Sequence, residues 1–493
     1  MTEKNKTKES GRKILLKGGT VFTETGFYQK DVLLADGVIS AMEDKTDLLG
    51  DCEVFEIDNC LVTPGFVDLH THLRQPGQET AETIYSGARA AALGGYTSVT
   101  AMPNTDPVTD NLSAVAELRN LASAVPIEIN IAGSITKGRK GESLSPIAEM
   151  AAAGVRLFTD DGTGVQDGQL MRQALSYVKN LNVILAQHCE DETYCEEACI
   201  NEGEVSAALG LRGRPALAEE IMVYRDLALV RQTGSRMHFM HISSGKSLEL
   251  IKQAKAARLP VTAEVTPHHL SMTESLLRSF DPLYKVHPPL RAKEDLYLLR
   301  EAFRGDVIDI LATDHAPHSK DKKEQPIDSA APGMLGLQTA FSAAYAATCL
   351  NVKPLEFGDL ASGADWTDAA LQKALAEAIK KSSAKSGRKN ALLHEKNGLF
   401  DEDEILSALS NLLYKMSVAP AKILGLSTQG LPLKVMNPAN ICVLDLGSSR
   451  VLKPEMIASL SSNSPFIHIN LPGLVRHTFV NGLPVVVDQE AMF

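Results

Sequence analysis

The stretch Val67–Arg74, "VDLHTHLR", ends an apolar run with two histidines one residue apart and an arginine two residues later. Successive side chains of a β-strand point to opposite faces, so His70 and His72 lie on the same face. Two imidazoles on one side of a strand end can bind a metal ion, but a pair of histidines at a strand end can also simply face solvent. The remainder of the chain decides between these interpretations.

Length and composition indicate a soluble globular protein that is larger than one ordinary domain. The chain has 493 residues, of which 44% are hydrophobic and 22% charged; a barrel of about 250 residues with additions fits this length. The formal net charge of −12 argues against nucleic acid or an anionic membrane as the main partner. No apolar run approaches the ~20 residues that span a bilayer, and the polar N-terminus is unlike a secretory signal. Seven scattered cysteines suggest reduced thiols and therefore a cytoplasmic location.

A repeating unit of apolar strand, polar loop and amphipathic helix begins near residue 60. Strands are predicted at Leu61–His70, Tyr96–Met102, Ile127–Gly133, Gly154–Thr159, Asn182–His188, Met237–Ile242, Val261–Val265 and Asp309–Thr313. Helices are predicted between them, for example at Ala81–Leu93, Ser113–Ala124, Gln169–Asn180, Ala216–Gln232, Gly245–Ala257 and Asp295–Phe303. Strands that alternate with helices predict a parallel α/β fold, and eight units favour a closed TIM (β/α)8 barrel over an open sheet.

The two ends of the chain have a different pattern. Short β-like runs separated by Gly and Asp turns predict a small composite β-sandwich domain formed by the N- and C-terminal segments. The expected domains are a polar tail (1–12), the first sandwich part (13–59), the barrel (60–352), an insertion (353–397), the final barrel helices (398–431) and the second sandwich part (432–493). The insertion contains a predicted helix with Thr367 as its N-cap, followed by a basic tail. A lid, an oligomer contact and a disordered loop are all compatible with it.

Polar side chains follow the predicted strands at their carboxyl ends, where TIM barrels build their active sites. They are His70, His72, Asn104, Asp160, Asp161, His188, His241 and Asp314. Imidazole and carboxylate ligands suit Zn²⁺ and similar ions. Without Asn104, and with one of the two adjacent aspartates, six candidate ligands remain, which is more than one tetrahedral ion needs. A two-metal centre bridged by a carboxylate is therefore favoured. Strand alternation leaves the choice between Asp160 and Asp161 open, and it predicts that His238 faces the helix layer.

Eight motifs along the chain carry a family resemblance. In order they are "PGFVDLHTHLRQPG" (64–77), "AMPNT" (101–105), "FTDDG" (158–162), "QHCED" (187–191), "HFMHISS" (238–244), "VTPHH" (265–269), "PPLR" (288–291) and "ATDHAPH" (312–318). Together they resemble the amidohydrolase superfamily, and specifically the type I dihydroorotases, over about residues 13–345 and 398–493. The resemblance implies a zinc-dependent enzyme that reversibly cyclises N-carbamoyl-L-aspartate to L-dihydroorotate in pyrimidine (UMP) biosynthesis.

The resemblance also implies roles for individual residues. His70 and His72 would bind the more buried zinc ion, His188 and His241 a second one, and Asp161 would bridge the two. Asp314 would complete the first site and act as general base and acid for a zinc-bound hydroxide. The implied substrate-binding residues are His72, Arg74, Asn104, His287, His318, Pro332 and Gly333. Whether one or two Zn²⁺ ions bind stays open.

Two features of the sequence bear on the expected substrate, and the second is a departure from the type I pattern. The "FTDDG" region has no lysine, whereas hydantoinases and dihydropyrimidinases resemble one another in a carboxylated lysine there, so an aspartate bridge favours a dihydroorotase. His287 stands where the type I pattern usually has asparagine, which keeps a different cyclic-amide hydrolase, allantoinase-like or hydantoinase-like, as an alternative. A non-catalytic scaffold for aspartate transcarbamoylase is the third hypothesis, and the complete ligand set argues against it. The resemblance further implies a homodimer and a possible complex with aspartate transcarbamoylase.

Overall fold

Eight parallel strands form the centre of the protein in the computed structural model, which describes residues 12–44, 52–362, 364–383 and 402–493. They are β1 (Phe66–Thr71), β2 (Tyr96–Ala101), β3 (Glu128–Gly133), β4 (Leu157–Thr159), β5 (Ile184–Gln187), β6 (Met237–Phe239), β7 (Val261–Val265) and β8 (Ile310–Leu311). Each strand pairs with the next in chain order, and a parallel bridge between Thr71 and His315 joins the last unit to the first. The predicted (β/α)8 barrel is confirmed.

Helices connect the strands and cover the outside of the barrel, as the 3.6-residue spacing of apolar positions predicts. The α-helices are Ile84–Leu93, Leu112–Ala122, Ile147–Ala152, Gly168–Val178, Glu204–Leu209, Ala216–Thr233, Gly245–Ala256, Pro267–Ser271, Lys293–Arg304, Lys320–Lys323, Ala340–Thr348, Ala369–Ser383, Glu402–Met416 and Val418–Leu424. Side-chain caps fix several starts: the Thr83 hydroxyl accepts the N–H of Ser86, and Asp167 accepts two N–H groups of the helix that follows it.

Both termini contribute to a second body made of two sheets. One sheet contains Val38–Glu43, Asp31–Ala35, Lys13–Lys17 and Glu53–Glu56; the other contains Glu490–Ala491, Leu483–Val487, Asn470–Val480, Ile441–Val451, Leu61–Pro64, Thr20–Thr23 and Gly26–Gln29. Ile14, Val32, Ile441 and Phe479 are buried in one apolar cluster that contains residues of both sheets. The predicted composite β-sandwich is therefore confirmed. A separate two-stranded parallel sheet pairs Ile200–Asn201 with Gly213–Arg214.

The prediction of one strand over Leu61–His70 is wrong, because this run contains two strands in different sheets. Leu61–Pro64 pairs with the C-terminal strand Ile441–Val451 in the sandwich, and the first barrel strand begins at Phe66. Gly65 separates them, and a Cβ atom there would lie 2.3 Å from the Thr97 side chain. Both strands are buried along their whole length, so the apolar pattern does not show where the chain changes sheets.

The insertion contributes a helix, Ala369–Ser383, that contacts the sandwich. Its Gln372 side chain donates 3.0 Å and 3.3 Å hydrogen bonds to the carbonyls of Leu446 and Ser448. The prediction of Thr367 as N-cap is wrong by one position: the Asp368 carboxylate accepts the N–H of Leu371 at 2.9 Å. The predicted basic tail and most of the N-terminal tail lie outside the described residues. Among the described helices, none is long and apolar enough to cross a membrane.

We predict that Ile441→Ala destabilises the protein by about 2–5 kcal/mol, because it leaves a cavity at the centre of the sandwich. Ile441 is fully buried between the sheets, whereas Val451, at the other end of the same strand, is 41% exposed. Val451→Ala is the matched control, with an expected change within about 0.5 kcal/mol. Urea unfolding followed by circular dichroism measures both; equal losses in the two variants would contradict the prediction.

Candidate metal centre

Four histidines and two aspartates converge at the carboxyl ends of the barrel strands. His70 lies on β1 and His72 just after it, while Asp161, His188, His241 and Asp314 follow β4, β5, β6 and β8. All six side chains are at most 8% exposed. Residues more than 240 positions apart in the chain therefore share one buried space, as parallel strands with a common rim require.

The Asp161 carboxylate lies between the four imidazoles. Its Oδ1 atom is 3.5 Å from His70 Nε2, 3.6 Å from His188 Nδ1 and 3.7 Å from His241 Nε2. Its Oδ2 atom is 3.3 Å from His72 Nε2. One carboxylate thus faces both histidine pairs, a placement suited to a group that bridges two cations.

Asp314 lies beside the first pair of histidines. Its Oδ1 atom is 3.1 Å from His72 Nε2 and 3.5 Å from His70 Nε2. Two ligands about 2.0–2.1 Å from a tetrahedral ion are about 3.3–3.4 Å apart, which is close to these separations. Furthermore, His70 Nε2 is buried without a hydrogen-bond partner, and an unpartnered buried nitrogen is costly unless something binds it. These residues fit a divalent cation.

Asp160 has a different environment from its neighbour Asp161. Its carboxylate accepts the backbone N–H groups of Ile135 and Thr136 at 2.8 Å and 3.0 Å and the Thr136 hydroxyl. It therefore links the segment after β3 to the end of β4. The structure places Asp161, not Asp160, among the histidines.

The second ring nitrogens of three of these histidines have their own partners. His70 Nδ1 lies 2.7 Å from Glu264 Oε1, His72 Nδ1 lies 2.9 Å from Asn104 Oδ1, and His188 Nε2 lies 3.2 Å from Glu190 Oε2. Each partner is an oxygen acceptor, so each outer nitrogen carries a proton, and in the neutral, metal-binding form of the ring that proton is the only one. The other nitrogen then presents its lone pair to the centre of the cluster, as metal-binding histidines do.

Glu264 and Glu190 contact the outer nitrogens of two cluster histidines, and the sequence analysis missed both of them. Glu264 also accepts a 2.9 Å hydrogen bond from His238, so the prediction that His238 faces the helix layer is wrong: it faces the barrel interior. Glu190 is held by the guanidinium group of Arg214 through two contacts of 3.1 Å and 3.0 Å. A charged residue inside the apolar strand Val261–Val265 was the available signal for Glu264, because unpaired charges are rarely buried.

The buried histidines and carboxylates of the cluster shift each other's pKa values in opposite directions. Burial alone would lower the pKa of His70, but the carboxylates of Asp161, Glu264 and Asp314 outweigh it and raise that pKa well above its usual value. Burial alone would raise the pKa of Asp161, but the neighbouring imidazoles of His70, His188 and His241 hold it well below its usual range. Histidines bind metals in the neutral form. A bound cation would therefore take the place of the extra histidine protons and balance the charge of the same carboxylates.

Three residues at this rim have left-handed backbone conformations that are uncommon for side chains other than glycine. The φ angles are 59° at Arg74, 34° at His241 and 45° at Asp314. Such conformations cost about 1–3 kcal/mol each and persist only where surrounding structure imposes them. Here they lie at the ends of strands whose last side chains turn toward the cluster.

The predicted substrate-binding residues lie around the same rim. They differ in how many of their polar atoms already have hydrogen-bond partners within the protein. Arg74 donates through Nε to the Pro317 carbonyl at 3.0 Å, and among the described residues its Nη groups have no hydrogen-bond partner. Asn104 holds His72, as described above. Burial lowers the pKa of His287 to about 3, and its Nε2 atom is buried without a partner.

The loop that carries His318 already uses several of its polar atoms. His318 Nε2 lies 2.7 Å from the Pro332 carbonyl, which can only accept, so this nitrogen carries the proton. Burial lowers the pKa of His318 to about 3, and the neutral ring therefore offers Nδ1 as an acceptor. The Gly333 N–H donates to the Lys285 carbonyl at 2.9 Å.

Comparison with known proteins identifies the family. A family model described as dihydro-orotase-like matches residues 59–247. The dihydroorotase of Streptomyces coelicolor is 39% identical, with 97% of this chain and 99% of that protein covered. The dihydroorotase of Pelotomaculum thermopropionicum is 36% identical, with the same coverage. This chain belongs to the dihydroorotase family.

Solved structures support the same fold for this dihydroorotase family member. An L-hydantoinase (dihydropyrimidinase) from Arthrobacter aurescens has a TM-score of 0.76 at 22% identity, covering 97% of both chains. A dihydropyrimidinase from Brevibacillus agri has a TM-score of 0.74 at 19% identity, covering 97% of this chain and 96% of that one. At these identities the likeness concerns the barrel and sandwich alone.

We predict opposite outcomes for the two neighbouring aspartates. Asp161→Asn should remove bound metal, because the carboxylate that faces all four histidines loses its charge, and metal affinity should fall at least about 100-fold. Asp160→Asn should retain the metal and lower the melting temperature, because Asp160 accepts only backbone and hydroxyl groups. Metal content after dialysis and thermal melts measure both. Retention of metal by Asp161→Asn would exclude it as a ligand.

Proposed function

We propose that this protein is a dihydroorotase that interconverts N-carbamoyl-L-aspartate and L-dihydroorotate. The observation that carries this proposal is the combination of a buried His/Asp cluster with a buried arginine at its edge, in a chain that matches proteins named dihydroorotase over 97% of its length. The reaction needs a site for an amide carbonyl and a site for a substrate carboxylate. In this proposal the cluster is the site for the carbonyl, and Arg74 is the site for the carboxylate.

We propose Zn²⁺ as the metal and His70, His72, Asp161, His188, His241 and Asp314 as the ligands. Mixed imidazole and carboxylate ligands suit this ion, and the position of Asp161 between two histidine pairs favours two ions over one. When bound in such a site, zinc lowers the pKa of water toward neutrality and polarises a carbonyl oxygen.

Asp314 is the proposed general base and acid. In ring opening, its carboxylate accepts the proton of the attacking water as the new C–O bond forms. It then returns that proton to the ring nitrogen as the amide C–N bond breaks, and cyclisation follows the same path in reverse. Neighbouring histidines hold the pKa of Asp314 well below its usual range, against the effect of burial, so it begins the reaction ionised.

Arg74 is the proposed binding site for the substrate carboxylate. Burial lowers its pKa to about 10, against the pull of Asp314 and Asp161, so the guanidinium remains charged at neutral pH. Its Nε atom is fixed by the Pro317 carbonyl, which leaves the two Nη groups to form a bidentate pair with a planar carboxylate. We propose that Asn104 and His318 act beside it, the former by orienting His72.

The proposed ring contacts come from His287, Pro332 and Gly333. The position of His287, beside the Glu190–Arg214 pair, allows the neutral imidazole to form one hydrogen bond with a substrate amide. Within the Pro332–Gly333 segment, the Pro332 carbonyl and the Gly333 N–H already have protein partners. A substrate ring that binds here must therefore share these groups with their protein partners. This need makes the Pro332–Gly333 segment the part of the site most sensitive to substrate shape.

Assembly and location are separate proposals. The resemblance to type I dihydroorotases supports a homodimer, a complex with aspartate transcarbamoylase and a cytoplasmic location. Light scattering of the protein alone, and with the homologous transcarbamoylase added, tests the first two.

The decisive test is ring opening of L-dihydroorotate by purified protein, followed by ultraviolet absorbance, with allantoin and hydantoin assayed in parallel. We expect turnover of dihydroorotate that a chelator abolishes and added zinc restores. Turnover of hydantoin or allantoin alone would refute the proposed substrate and support the hydantoinase-like alternative. Bound metal without turnover of any ring would support the scaffold hypothesis.

We predict that Asp314→Asn lowers kcat by at least about 100-fold, because an amide cannot accept the proton of the attacking water. The control is Asp306→Asn, which removes one charge from an exposed position nearby in the chain and should leave kcat unchanged. Steady-state rates, with metal content measured in the same samples, separate chemistry from metal loss. A near-normal rate in Asp314→Asn would remove this residue from the mechanism.

A further inference from the structure

A buried lysine lies within the loop 316–334, which also carries three of the proposed substrate-binding residues. Lys323 is only 6% exposed, and its Nζ atom donates to the carbonyls of Gly333, Ala331 and Lys285 at 2.8 Å, 3.0 Å and 3.1 Å. An ammonium group has three N–H donors, so all of them are used. Among the described residues, no carboxylate forms an ion pair with it.

A charge buried without a counter-charge is costly, which suggests that this arrangement has a use beyond packing. The three carbonyls belong to two separate segments. Ala331 and Gly333 lie on either side of Pro332 in the loop, while Lys285 lies two residues before His287. One ammonium group therefore joins the loop to the segment that presents His287 to the site.

Asn463 also binds this loop, from a distant part of the chain. It lies in the C-terminal part of the chain, yet its side-chain Nδ2 donates to the carbonyls of Ala316 and Gly333 at 2.9 Å and 3.1 Å, and its Oδ1 accepts the His318 N–H at 3.2 Å. Lys323 and Asn463 thus share the Gly333 carbonyl as acceptor. The Gly333 N–H donates to the Lys285 carbonyl, so both polar backbone groups of Gly333 are held.

We propose that Lys323 and Asn463 are positioning residues that hold His318, Pro332 and Gly333 in the geometry that binds the substrate ring. Neither residue contacts the metal cluster. They act through the loop: Lys323 joins it to the His287 segment, and Asn463 joins its two ends, at Ala316 and Gly333. This inference rests on the proposed function for the identity of the ligand, but the geometry of the loop is independent of it.

The test compares Lys323→Met with Lys322→Met. Lys322 is the exposed neighbour of Lys323, so the control removes the same charge without touching the loop carbonyls. We expect Lys323→Met to raise KM for dihydroorotate about tenfold or more, because hydrogen bonds from a charged donor are lost. Its kcat should change less than about threefold and its metal content should not change, because the cluster is intact. Lys322→Met should match the wild type in all three quantities.

Hydrogen–deuterium exchange gives a readout that needs no substrate. The Gly333 N–H donates to the Lys285 carbonyl, and the Leu335 N–H donates to the Asn463 carbonyl. We expect peptides covering 331–337 to exchange about tenfold faster in Lys323→Met, and peptides of the barrel strands to exchange as in the wild type. Asn463→Ala, which removes the other donor to Gly333, should give the same pattern, with Ser462→Ala as its exposed control.

The pH dependence of KM adds an independent test of the charge. Burial, together with the Lys285 ammonium, lowers the pKa of Lys323 to about 7 against the pull of Asp281. Burial also lowers the pKa of Lys285, and the pKa of His318, which interacts with the Lys323 charge, is far lower at about 3. Deprotonation leaves two N–H donors for three carbonyls. The wild-type KM should therefore rise between about pH 6 and pH 8.5, and this rise should be absent in Lys323→Met.

The outcomes separate this inference from the proposed function. A wild-type enzyme that opens a ring other than dihydroorotate refutes the proposed substrate, and the KM comparison is then made with that ring. An unchanged KM together with unchanged exchange in Lys323→Met refutes the inference. So does a joint loss of kcat, metal and protection throughout the barrel, since that shows a general structural role. If Lys323→Met does not fold, Lys323→Gln, which keeps an uncharged donor, takes its place in each comparison.

Discussion

The Asp161 carboxylate between four imidazoles is the interaction on which the rest of the site depends. Carboxylate and histidines shift each other's pKa values in opposite directions, and neither group would be tolerated in this buried space without the other. The same charge balance makes the space suitable for a divalent cation. Glu264 and Glu190 lie outside the cluster and contact His70 and His188. Because each binds one ring nitrogen, it determines which nitrogen of that ring faces the centre.

The barrel explains how such a cluster can be assembled at all. Parallel strands end at one rim, so short segments distant in the chain bring their last side chains to the same place. Left-handed conformations at Arg74, His241 and Asp314 show that the chain turns sharply there. The loop 316–334 is held differently, by Lys323 from within and by Asn463 from the C-terminal part of the chain. The histidine–aspartate cluster and the loop proposed to bind the substrate ring therefore have separate supports.

Much of this arrangement could be predicted from the sequence, because it depends on local periodicity and on strand ends. Period-two and period-3.6 patterns indicate strands and helices, and the number of units indicates a barrel. The error at Leu61–His70 arose because two strands that are buried on both faces form one apolar run. The error at His238 arose because the chain leaves β6 after Phe239, so strand alternation counted back from His241 does not apply. Glu264 and Glu190 were missed because their importance depends on partners elsewhere in the chain.

The sequence by itself determined the fold class, the residues that gather at the rim and the family to which the chain belongs, since these follow from periodicity, spacing and motif order. Strand alternation could not decide between Asp160 and Asp161, and the family resemblance favoured Asp161. The tertiary structure gives the physical reason, because the Asp160 carboxylate accepts backbone N–H groups of Ile135 and Thr136 while Asp161 faces the histidines. It also revealed that Asn463 reaches a loop almost 150 residues earlier. Such contacts depend on how the sandwich segment packs against the barrel, and no local pattern in the chain encodes that distance.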